Sequence, residues 1–249
     1  MKIDNRSPKE IIQTFGTMLE EKLIPVGFKF LKSTQTLKLT LKGYDLSFSL
    51  LSDYNNRQSE WVHLNCCCFN VKHKGFSKWY NQYLLIESTS IYNENFENHW
   101  SLLYEEEQKK ALTEIMDIID KFVLPLITDL DKNIEAFYHN IALSYLKYPI
   151  DDKLITTTAF LLYNKKIEFV QTYLPTIFKN LQNEEIMMLS TAYDLIRQSS
   201  KIQTYNCKRM IIRESYGTIN YFYPFAKLLL LHSIEIKHII NGSTHPVVG

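Results

Sequence analysis

Glycine is scarce in this chain, with 7 residues in 249. Loops that cradle a phosphate need clustered glycines so that the backbone can approach the ligand, and neither a P-loop nor a dinucleotide fingerprint occurs. Cysteine is scarcer still: 4 residues, of which Cys66, Cys67 and Cys68 are consecutive. That crowding excludes a disulfide framework, because neighbouring strand side chains point to opposite faces. It also lacks the paired C-x-x-C turns of a zinc site, so neither a metal nor a cofactor is expected. No G-x-S-x-G elbow and no H-E-x-x-H helix is present. Long apolar runs are missing too. The four leucines at 228–231 stop at His232, far short of the roughly 20 residues that cross a bilayer. Residues 1–6 carry no apolar stretch of the secretory type. No membrane association is expected, and a soluble, cytoplasmic protein with reduced thiols fits these absences. Finally, charge of one sign is missing: 28 Lys and Arg balance 27 Asp and Glu. A net +1 argues against a protein whose main task is to hold a phosphate backbone.

What is present is ordinary globular composition, 45% apolar and 22% charged, with 16 Tyr and 14 Phe. Ser7-Pro8-Lys9-Glu10 is a helix start: a cap, a proline at the first position and a capping-box glutamate. Ile11, Ile12, Phe15, Met18, Leu19 and Leu23 form its apolar stripe. Pro25 and Gly27 end it. From Phe28 the period changes to two. Leu37, Leu39 and Leu41, then Leu46, Phe48 and Leu50, alternate with polar residues across a turn at Gly43. This is the pattern of an antiparallel sheet with one buried face. A fourth strand is expected over 61–71, with Val62, Leu64, Cys66 and Cys68 inward and Trp61, His63, Asn65, Cys67 and Phe69 outward. Residues 75–98 give no clear pattern. A helix from about Tyr104 opens with three glutamates, favoured at the positive end of the helix dipole, and Pro125 should kink or end it.

An N-terminal helix, "GFKF" at 27–30, a meander, "HW" at His99-Trp100 and "LPL" at 124–126 together resemble a bacterial family, domain of unknown function 4304, over residues 10–130. That resemblance implies a fold and no particular activity. Beyond residue 131 the strand signals vanish and short helical patterns follow, with a cap at Asp151 or Asp152, an interruption or kink at Pro175, and helices expected over 183–197, 202–213 and 224–240. The expected architecture is α+β. An N-terminal helix, an antiparallel four-stranded β-meander and a further helix make a sheet domain over 1–131. An α-helical bundle of hairpins follows over 132–249.

Three chemistries compete. A cysteine–histidine hydrolase would need a nucleophile and base in hydrogen-bond contact. His63 and Cys67, four apart on a strand, are separated by roughly 13 Å. His73, His99 or His139 would have to serve instead. A nucleic-acid-associated regulator would use Lys208, Arg209 and Arg213 beside Tyr205. The third reading is a non-enzymatic protein-binding module, such as a bacterial immunity protein that neutralises a toxin. Its contact residues would be Trp61, His63, Asn65, Trp79 and Tyr80, because an exposed tryptophan on the outer sheet face is the kind of anchor that interfaces use. The third is the expectation carried forward, with a protein partner and no nucleic acid.

Overall fold

A computed structural model describes residues 3–84, 90–145, 150–199, 202 and 221–236. The fold is α+β, and by packing the chain divides into two compact units. One comprises Met1–His73 and Tyr92–Phe137, the other Lys74–Ile91 and Tyr138–Gly249. The chain therefore passes between units three times, where one boundary at 131/132 was expected.

In the first unit, helix α1 (Pro8–Leu23) carries the expected capping box: the Glu10 amide donates to Ser7 Oγ (3.3 Å) and the Ser7 amide to Glu10 Oε2 (2.9 Å). Its buried stripe includes Ile11, Ile12, Phe15 and Leu19, and Gly16 admits the Phe30 ring onto the helix backbone. A short 3-10 turn, Ile24–Val26, ends at Gly27 in the left-handed region (φ 95°), which a residue with a Cβ seldom adopts. Strands β1 (Lys29–Leu31), β2 (Thr36–Leu41), β3 (Tyr44–Ser52) and β4 (His63–His73) form a meander. Lys42 (φ 49°) and Gly43 (φ 84°) make the two-residue turn between β2 and β3, in the left-handed conformation that suits the twist of a hairpin.

A fifth strand, β5 (Ser90–Ser101), lies beside β4, so the antiparallel sheet has order β1-β2-β3-β4-β5 rather than four strands. Its sequence hides it: Asn93, Glu94, Asn95, Glu97 and Asn98 are residue types depleted in strands, and the alternation that betrays β2 and β3 is absent. Helix α3 (Glu105–Ile118) packs against α1, and its last turn widens into a π-helical segment, Ile119–Val123, before α4 (Leu124–Lys132). Pro125 sits in the first turn of α4, where its missing N–H costs nothing; the break falls just before it.

The second unit is helical. Helix α2 (Lys74–Leu84) belongs to it, as do most of α5 (Ile134–Tyr145), α6 (Asp152–Tyr163), α7 (Ile167–Lys179), α8 (Asn183–Arg197) and α9 (Phe222–Leu231). Asp151 caps α6 by accepting from the Leu154 amide (2.8 Å). Of the interruption or kink expected at Pro175, the interruption does not occur: helix α7 runs through that residue. Helices α8 and α9 pack together, tied by Tyr193 Oη–H donating to the Ile234 carbonyl (3.0 Å) and by an Arg197–Glu235 ion pair (3.3 Å). Beyond residue 202, the helix expected over 202–213 lies outside the described residues, as do residues 237–240. No helix among the described residues is long and apolar enough to cross a membrane.

Candidate functional site

The expected inward and outward sets on β4 hold for only half the strand. Leu51 pairs with Cys66 and Ser52 with Leu64, leaving Asn65 as an extra residue. A one-residue bulge exchanges the faces of everything beyond it. Val62 and Leu64 are buried as expected, but from there the buried set is Cys67, Phe69 and Val71, while Cys66 and Cys68 are only half-buried. No alternation rule applied to "HLNCCCFNV" reveals the bulge, since Asn65 fits a polar outward position in either register.

The bulge places Cys67 in the core. Burial pushes the Cys67 thiol far up and raises Cys66 as well, whereas nucleophilic cysteines are held low by nearby positive charge. Cys68 accepts from the side-chain amides of Asn70 (3.0 Å) and Asn93 (3.5 Å) on the outer face. Among the described residues no group of three or more His, Cys, Asp and Glu side chains is placed to hold a metal. Cys207 and the basic stretch at 201–213 lie outside the described residues.

The connection from β3 to β4 is where the first unit presents aromatic surface. Asn56 clamps both backbone groups of His63: the His63 N–H donates to Asn56 Oδ1 (2.7 Å), and Asn56 Nδ2 donates to the His63 carbonyl (2.9 Å). Asp53 N–H adds a second bond to that carbonyl (3.1 Å). Arg57 and Trp61 exchange backbone hydrogen bonds across the turn, and Gln58 and Ser59 tie it to Asn5. On this frame the Trp61 indole stacks flat on the His63 imidazole, centroids 3.8 Å apart and planes 6° from parallel. Trp61 is nonetheless 47% exposed, and Tyr54 in the same connection is 93% exposed. Tyr54 was missed because "DYNN" reads as a turn and says nothing of which side chains a turn projects.

Asn65, displaced by its own bulge, accepts from His99 Nδ1–H on β5 (3.1 Å). Burial holds His63 below the usual imidazole value, with the carboxylates of Glu107 and Asp53 pulling the other way and His99 reinforcing the shift. His63 Nδ1 is buried with no hydrogen-bond partner. Beyond His99 an open cleft of about 150 Å³ runs between β5 and α3. Its carboxylates are already engaged. Glu107 accepts from Ser101 Oγ and from the Tyr104 amide, closing the α3 cap, while Glu114 accepts from Trp100 Nε1 (3.0 Å) and faces Lys110 (3.8 Å). The cleft is thus polar, and its two carboxylates are already hydrogen-bonded within the structure.

The other two expected contact residues are in the helical unit. Tyr80 is fully buried, hydrogen-bonded through Oη to Thr156 Oγ1 (3.1 Å) and packed beside Phe76. It is a core residue, not a surface anchor, because Phe76 and Tyr80 lie four apart on the face of α2 that meets α6. Trp79 is half-buried, against Tyr163 and His232. Of the five, Trp61, His63 and Asn65 are thus brought together. No family model, curated protein or solved structure matches this chain.

Proposed function

We propose that this chain is a non-enzymatic protein-binding module whose contact surface is the β3–β4 connection around Trp61, extended by His63, Asn65 and His99. The observation that carries the reading is the Trp61–His63 stack: a large, half-exposed aromatic held in one orientation by an imidazole whose backbone is itself clamped. Ordering a flexible side chain on association costs about 0.5–1.5 kcal/mol. A pre-stacked indole avoids most of that cost, and tryptophan is the residue type most enriched among energetic anchors. Tyr54, in the same connection, supplies a second exposed aromatic.

Neutralisation of a toxin is one role for such a module. It has support only from the resemblance to a motif-free bacterial family, an argument by analogy. The full-length tagged chain, used to capture proteins from its native cells, tests the binding reading when run beside its Trp61→Ala variant. A stoichiometric partner retained by the wild type and lost from the variant is expected. A partner held equally by both would place the contact elsewhere, and none recovered with either would count against a binding role.

A further inference from the structure

We propose that the Trp61–His63 stack is an acid-sensitive latch, in which a proton on the His63 imidazole frees the Trp61 indole from its fixed orientation. This is regulation of the contact surface proposed above, and it rests on that reading. The indole lies flat on the imidazole, 6° from parallel at 3.8 Å, and Asn56 holds the His63 backbone in place. The imidazole ring lacks such an anchor at Nδ1, which is buried and, among the described residues, has no hydrogen-bond partner. A neutral imidazole can leave that nitrogen unprotonated. An imidazolium cannot, because both of its nitrogens are donors. A charged donor buried without an acceptor loses more than a cation gains over an exposed indole face.

The charged groups around the ring do not supply the missing acceptor. Asp53, in the same connection, accepts from the Asn55 amide (2.7 Å), and Glu107, on α3, accepts from Ser101 Oγ and the Tyr104 amide. Both favour a proton on His63 through space, and His99 on β5 opposes one. His99 is itself turned to Asn65 through Nδ1 (3.1 Å). Burial outweighs the two carboxylates and holds His63 below its usual 6.5. The latch is therefore closed above about pH 6.5. As the pH falls below the folded midpoint, the imidazolium must turn toward water to be solvated, and in doing so it leaves the indole.

The test reads the indole itself and needs no partner. In the isotope-labelled full chain, the Trp61 indole N–H signal is the one lost in Trp61→Phe. Its relaxation should report an ordered ring at about pH 7.5 and a mobile one at about pH 5, the range in which histidine titrates. The midpoint should match the titration of the His63 ring signal. Trp100, buried and donating to Glu114 (3.0 Å), should stay ordered throughout and so report an intact fold. His63→Phe keeps a flat ring under the indole but takes no proton, so Trp61 should remain ordered at both pH values. His99→Gln should leave the transition in place. A Trp61 ring still ordered at about pH 5, a midpoint unrelated to His63, or equal loosening in His63→Phe would overturn the latch. Two of these readings use the unaltered chain, so a variant that fails to fold does not rescue the proposal. A failed latch leaves the neutral-pH capture, and with it the binding function, standing. Capture independent of Trp61 would instead remove that function's assigned face.

Discussion

The two units differ in where some of their aromatic and polar groups lie. The sheet unit puts Tyr54 and Trp61 outside, on a turn braced by asparagine side chains, and keeps a largely aliphatic and phenylalanine core. The helical unit turns Phe76, Tyr80, Tyr138 and Phe160 inward as a cluster of rings and buries Thr156, Thr157 and Thr158 with them. Thr157 and Thr158 have hydroxyls with no partner, and such groups each cost stability. Rings fill the core of both units, and the sheet unit in addition leaves Tyr54 and Trp61 exposed. Position on a clamped turn, not residue type, separates the exposed rings from the buried ones.

The largest expected effect tests that separation directly. Tyr80→Ala should lower unfolding free energy by about 3–5 kcal/mol, as deletion of a fully buried ring does. Trp61→Ala should cost under about 1 kcal/mol, being a half-exposed surface change. Urea denaturation of both variants decides it, and equal losses would erase the contrast. A smaller effect is expected at Gly16, where an added Cβ overlaps the Phe30 ring. Gly16→Ala should destabilise by about 1–3 kcal/mol through overpacking, read from the same denaturation curves.

The bulge at Asn65 makes a prediction of similar size. Cys67→Ser buries a hydroxyl in an apolar site and should cost about 1–3 kcal/mol, while Cys66→Ser and Cys68→Ser should cost less. In the native protein Cys67 should be the last of the three to react with a thiol reagent, since its sulfur is both inaccessible and firmly protonated. The smallest effect concerns acid. Burial holds folded His63 below its usual value of 6.5, so the unfolded chain binds the proton more readily. Its contribution to stability is then intact above about pH 6.5 and falls as the pH drops below it. His73 and His232 are shifted in the same direction, so His63→Gln should shrink the loss of stability between neutral and mildly acid pH without abolishing it. Denaturation of both proteins at two pH values checks this, and an unchanged loss would contradict it.

Much of the frame was legible in the sequence because its signals are local. The Ser7–Glu10 box, the alternation through β2 and β3, the glutamates at the start of α3 and the Asp151 cap all act within four residues of themselves. What was not legible depends on distant pairing. The bulge exists only relative to β3, and β5 is a strand because β4 offers it a ladder, not because "NENFENH" prefers one. Tyr80 looked like surface because the face of α2 it occupies is defined by α6, some seventy residues on. At the candidate site, Trp61, His63 and Asn65 were picked out from alternation alone. His99 and Tyr54 entered only once the bulge and the turn were seen.

Hydrogen–deuterium exchange of the whole chain, free and bound to the partner recovered by capture, tests the account most directly. Protection centred on residues 51–65 is the predicted result, marking the clamped turn. Protection centred instead on residues 152–197, with the turn exchanging as freely as before, would contradict it.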